Sequence, residues 1–267
     1  MMMLTSVRRF ALQSYLSYRG LFLWLTPVSY VSNVVLRPVL AVMMFGFLAQ
    51  YAIDEETARV YAVGLAGYSV GRIIAGGVMQ SLYRDAAFGT LAAVYASPVN
   101  RGMLYFSRCV LHVPNAALVA ASVLVSGAVF LNLGFADVDW GGLVAAFAVM
   151  TFSTMLFSLF VATLILLSGT NWANWIIILD GLLLSLTGII IPTAELPAVL
   201  FEIGQMLPVT HGLDGLREAF AGGPSAGYWP DLAREAILGL GYGVVGLLLF
   251  RLAEVQAKRR GVLARAG

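Results

Sequence analysis

Long apolar runs alternate with short polar breaks along this chain, and six of the runs are long enough to cross a membrane: 28–50, 60–80, 105–131, 141–167, 175–191 and 232–252. A stretch of about 20 residues rising 1.5 Å per residue matches a hydrocarbon core about 30 Å thick. The pattern predicts an all-α integral membrane protein with six transmembrane helices in a single domain over 1–267. Before the first run, residues 5–25 mix Arg8, Arg9, Gln13, Ser17 and Arg19 with Phe10, Leu16, Phe22 and Trp24, which suits a helix lying in the interface. Pro38 predicts a kink in span 1. Gly67 and Gly71 in span 2, and Gly239 and Gly243 in span 6, have the GxxxG spacing that lets another helix come close.

The polar breaks differ in character. The one sizeable interruption in the first half is 84–101, RDAAFGTLAAVYASPVNR. Within it 86–97 forms about three predicted helical turns, with Phe88, Leu91, Ala92 and Tyr95 on one apolar face, until Pro98 stops the helix. By periodicity alone this is either a helix resting on the membrane or a segment held out for a partner. The stretch 192–230 is too rich in Pro, Gly and polar residues to span, yet its AVLFEIGQML is apolar enough to dip into the outer leaflet. The uncharged loop 168–174 brings Trp172, and next to it Trp175, to an expected interfacial belt.

Composition supports the same class. Hydrophobic residues make up 60% of the 267 and charged residues 11%, well below the roughly 25% of a soluble domain. Six spans with short connections leave no room for a separate soluble domain of the usual 50 residues or more, so any energy source has to come from another chain. Cys109 is the single cysteine, which excludes an internal disulfide and a cysteine metal site. The N-terminus shows no removable signal peptide. With the N-terminus inside, eleven basic residues, among them Arg8, Arg9, Arg84, Arg101, Lys258 and Arg259, fall on the inner side against Arg59, Arg217 and Arg234 outside. This places both termini and the 84–101 connector in the cytoplasm, in a multi-pass protein of the cell membrane. The net charge of +2 is thereby accounted for by topology and anionic lipid, and gives no reason to expect nucleic acid.

Little in the chain suggests chemistry of its own. It has neither the GxxxxGK[ST] phosphate cradle nor HExxH, and His112 and His211 are expected on opposite sides of the membrane, so no metal or cofactor site is expected. G-x-S-x-G surrounds Ser69, but that pattern marks a nucleophile only on a strand-to-helix turn with a histidine and an acid in reach. Three ionisable residues lie inside spans: Arg37, Arg72 and Asp180. An uncompensated charge there costs at least about 2.5 to 3.5 kcal/mol, so each should face the bundle or an aqueous cavity. Either they line a substrate path, or Asp180 pairs with one arginine, Arg72 being the expected partner, for structural reasons alone, with Arg37 reaching the inner interface.

Two motifs give the chain a family resemblance. The connector contains Gly89-Thr90-Leu91 and Ala96-Ser97-Pro98-Val99; the outer segment contains Pro192, Leu196-Pro197, Leu207-Pro208, Thr210, Arg217 and Gly222. In this order, with six spans and an elbow-like N-terminal helix, the sequence resembles the permease subunits of type-2 ABC exporters, a family that includes drug, polysaccharide and lipid-linked glycan exporters. The single Arg84-Asp85 before the connector motif is sparser in charge than is usual there. The resemblance implies two permeases side by side, identical or related, each receiving an ATPase subunit on its connector helix. ATP and Mg would be bound by that partner, and Phe88, Gly89, Thr90, Leu91, Tyr95, Ser97 and Pro98 would make the coupling contact. The cargo expected is amphipathic, lipid-like or drug-like, or a glycan. The alternative is an ATP-independent channel or carrier of the same topology, for which only the sparse Arg37, Arg72 and Asp180 offer a polar lining.

Overall fold

The computed structural model describes residues 26–87, 101–168, 172–190, 193–223 and 225–259. The interfacial helix expected at 5–25 and the coupling residues Phe88, Gly89, Thr90, Leu91, Tyr95, Ser97 and Pro98 lie outside them. Among the described residues every regular element is helical: α1 (Pro27–Ala52), α2 (Glu55–Ala87), α3 (Arg101–Leu131), α4 (Trp140–Ser168), α5 (Trp172–Leu186), α6 (Ala198–Gln205), α7 (Thr210–Phe220) and α8 (Tyr228–Arg259). A hydrocarbon core offers no water to backbone amides, so apolar runs of this length fold into helices that satisfy their own hydrogen bonds.

The centre of the bundle is α2. Residues buried in the protein make up 78% of its apolar stretch, against 22% in α1 and in α8, and it packs on α1, α3, α4, α5 and α7. Small residues allow this crowding. A Cβ on Gly67 would stand 3.0 Å from Leu213, and one on Gly71 would stand 2.8 Å from Val209, so the GxxxG face of α2 receives α7 and the turn before it. The second pair does the same for α8 and α4: a Cβ on Gly239 would meet the Ser153 backbone at 2.6 Å, and one on Gly243 would meet Leu156 at 3.1 Å.

The disturbance expected at Pro38 takes the form of a π-helical turn, Ser32–Leu36, just before it. Proline has no N–H and its ring crowds the carbonyl four residues back. The helix widens by one residue there, and the Arg37 N–H reaches Ser32 O instead.

Span 5 differs from expectation. Among the described residues five helices, α1 to α4 and α8, are long and apolar enough to cross a membrane; α5 is not among them. The run read as 175–191 is helical only to Leu186, and the 15 residues of α5 extend about 22 Å, short of a core about 30 Å thick. Two local causes end it. The Thr187 hydroxyl donates back to Leu183 O at 2.6 Å, and Gly188 adopts φ +82°, which turns the chain out of the helix. Hydropathy cannot see this, because Ile189 and Ile190 keep the run apolar. Connector residues 84 to 87 also turn out to be the last turn of α2 rather than a separate loop.

The short links gather at one end of the bundle. Asp139 N donates to Ala219 O at 2.9 Å, Arg59 Nε donates to Leu131 O at 3.4 Å, and the Phe135 ring contacts Trp140 and Phe220. The turns around 54, 135 and 220 therefore share a face, opposite the end where α2 reaches Ala87 and α3 begins at Arg101. A multi-pass membrane protein results.

Candidate functional site

Two polar clusters sit within the apolar bundle. The first is built on one face of α2, where Leu65, Tyr68, Ser69 and Arg72 follow the i, i+3, i+4, i+7 spacing. Arg72 Nε donates to both carboxylate oxygens of Asp180 on α5, at 3.0 and 3.2 Å, and each side chain is about a quarter exposed, 22% and 27%. Arg37, carried by the turn after the π-helical segment of α1, is exposed, and its side chain makes no hydrogen bond or ion pair with the described residues. Its charge is nonetheless felt at the pair, since Arg72 and Asp180 both act on it electrostatically. Of the three intramembrane ions read from the sequence, the structure thus joins Arg72 to Asp180 and leaves Arg37 beside them.

The two arginines, but not Asp180, line a cavity of about 300 Å³ between α1, α2 and α3, with Leu184 of α5 at its edge. Asn33, Arg37, Tyr68, Ser69 and Arg72 supply the polar part; Leu40, Met44, Phe45, Ile73 and Val119 supply apolar walls. Ser69 is not a nucleophile here. It sits within helix α2 and its hydroxyl donates to Leu65 O at 2.8 Å. Neither histidine approaches it: the His112 ring packs on Gly77, and His211 Nε2 lies 3.3 Å from Gln205 O at the other end of α2's packing face. Among the described residues no group of three or more His, Cys, Asp or Glu is placed to hold a metal.

The second cluster was not foreseen from the sequence. Helix α7 begins at Thr210 after Val209, a β-branched residue at φ +83° with no side chain able to cap the helix. Its first N–H groups would be orphaned in an apolar setting. Glu235, from the second turn of α8, fills that role: its fully buried carboxylate accepts from Val209 N at 2.7 Å and from Gly212 N at 3.2 Å. A carboxylate at a helix N-terminus also opposes the helix dipole. Around it, Thr210 Oγ1 donates to Gly204 O (2.7 Å), Tyr242 Oη to Met206 O (2.8 Å) and Arg217 Nη2 to Gly188 O (2.6 Å). The motif residues Thr210 and Arg217 therefore pin the segment that follows α5, and Gly222 turns at φ +105°. The available signal for Glu235 was an acid one turn inside the last apolar run.

A model of the ABC-2 type transporter family matches residues 13–221 of the chain. No curated protein matches it.

Proposed function

The chain belongs to the ABC-2 type transporter family, and we propose that it is the permease subunit of an exporter in the cell membrane, driven by ATP that a separate subunit hydrolyses. The observation that carries this reading is the span of the family match, which takes in the connector, the segment after α5 as far as residue 221 and all helices up to α7. Five long apolar helices, the buried α2 among them, support the reading as a membrane path. In this reading a second permease, identical or related, stands beside the first, and each docks an ATPase subunit that holds ATP and Mg.

The stroke enters through the connector. Phe88, Leu91 and Tyr95 form the docking face, because a large side chain in a desolvated groove contributes most of such a contact; Gly89, Thr90, Ser97 and Pro98 shape it. Closure of the ATP-bound subunits then rocks α1 to α3 of one permease against the other. The topology we propose has six crossings with both termini and the connector cytoplasmic, α5 making the short crossing and α6 and α7 folding back into the outer half. The cargo is amphipathic, lipid-like or drug-like, or a glycan carried on a lipid.

Two experiments test this. The purified chain should hydrolyse no ATP alone, and Phe88→Ala should release the co-purifying ATPase subunit whereas Arg101→Ala should not; turnover by the isolated chain would end the proposal. Single cysteines at Tyr95 and Gln205, in a Cys109→Ala background, should label from opposite sides with an impermeant reagent. Labelling of both from one side would refute the six crossings.

A further inference from the structure

The charges at the α1–α2–α5 cluster do not balance. Among the described residues Arg72 and Asp180 neutralise each other at 3.0 Å, and Arg37 is left as one unit of positive charge. It stands 15 residues from the Ala52 end of α1, and Arg72 stands 17 residues from the Glu55 end of α2, so both lie roughly 22 to 26 Å below the outer end of the bundle. A cation at that depth needs an anionic partner or water. The carboxylate near this depth among the described residues is Asp180, and a second copy's Asp180 would be engaged by its own Arg72 in the same way.

The surroundings fit a small anion with an apolar tail. The π-helical turn swings Arg37 toward the cavity of about 300 Å³, where Asn33 and Tyr68 add polar groups beside it. The remaining walls are Leu40, Met44, Phe45 and Val119. Guanidinium groups pair with phosphate or carboxylate through two parallel hydrogen bonds, a geometry that ammonium does not offer. We propose that this cavity binds the phosphate or carboxylate head of an anionic amphiphile, with Arg37 holding the charge and the apolar walls holding the tail. It rests on the permease reading only for the purpose of such a ligand, because binding itself needs no ATPase subunit.

The test is binding of dodecyl phosphate to the full chain in phosphatidylcholine nanodiscs, with empty discs subtracted and dodecyl maltoside as the uncharged control. Wild type should bind dodecyl phosphate saturably and prefer it to the maltoside. Arg37→Gln should weaken it about tenfold or more, the loss of one charge-assisted contact, and Arg37→Lys should recover only part of that, since ammonium keeps the charge and loses the paired geometry. Leu40→Glu, one turn on, supplies an internal counter-ion on an exposed position and should weaken binding by a similar factor with Arg37 intact. Repeating the titration in discs containing phosphatidylglycerol separates the sources: competition means that the cavity holds a membrane phospholipid, and undiminished binding means that it is kept for a cargo. Absence of saturable binding by wild type, or an unchanged affinity in both Arg37→Gln and Leu40→Glu, overturns the proposal while leaving the ATPase co-purification result untouched.

Discussion

The two polar clusters place the same kinds of groups in opposite circumstances. Around Glu235 the carboxylate is fully buried and accepts two backbone N–H bonds, and its neighbours Thr210, Tyr242 and Arg217 each close a backbone carbonyl. Around Arg37 the groups are partly exposed, the charges sum to a surplus, and a cavity opens beside them. Saturated and buried polar groups hold a fold in place, since removing one partner strands the other. Unsaturated and accessible ones are available to something that comes and goes. The difference gives the α7 segment the features of a rigid support and the α1–α2 cavity those on which the binding proposal rests.

The largest effect expected on this contrast is at Glu235. Glu235→Ala should lower stability by about 3 kcal/mol, because it strands two buried donors and leaves a void, and Glu235→Gln by less, since its amide oxygen still accepts one bond. Thermal unfolding of the detergent-purified protein measures both. If Glu235→Ala melts like wild type, the outer cluster does not hold the α7 segment. Next is the α4–α8 seam. Gly239→Leu should cost about 2 kcal/mol by overpacking against the Ser153 backbone, while Gly241→Leu on the same helix, where an added Cβ meets nothing within 4 Å, should cost almost none.

A smaller effect is expected at the ion pair. The cycle of Arg72→Gln, Asp180→Asn and the double variant should give a coupling of about 1 kcal/mol, as each side chain is about a quarter exposed. Strictly additive losses would show that the contact contributes nothing. The smallest is a pH effect at the start of α2. Asp54 caps that helix by accepting from Thr57 N at 2.7 Å, which holds its carboxyl below the ordinary value of 3.8. A depressed folded-state value means that the cap's contribution is complete above that ordinary value and is lost as pH falls through the folded one. Amide exchange at Thr57 should therefore quicken only in acid, and Asp54→Asn should remove that dependence.

Much of this architecture was legible in the sequence because bilayer thickness sets helix length. Span 4, read as 141–167, is helical over Trp140–Ser168, and both GxxxG pairs face close neighbours. Arg72 and Asp180 could be matched from their similar depth alone. What escaped reading was decided by single backbone positions. Ile189 and Ile190 extend an apolar run that Thr187 and Gly188 have already turned out of the helix. Glu235 hides because its partners are backbone N–H groups of Val209 and Gly212, which no side-chain pattern records. The surplus at Arg37 follows from which arginine takes Asp180, a choice made by packing.

Thermal unfolding of wild type, Arg37→Gln and Glu235→Gln, each with and without dodecyl phosphate, tests the contrast most directly. A ligand that binds only the folded state raises the unfolding temperature. Wild type should shift upward; Glu235→Gln should melt lower yet keep the shift; Arg37→Gln should melt near wild type and lose the shift. If both variants keep the shift, or if Arg37→Gln also melts as low as Glu235→Gln, the division between a holding cluster and a binding cluster is wrong.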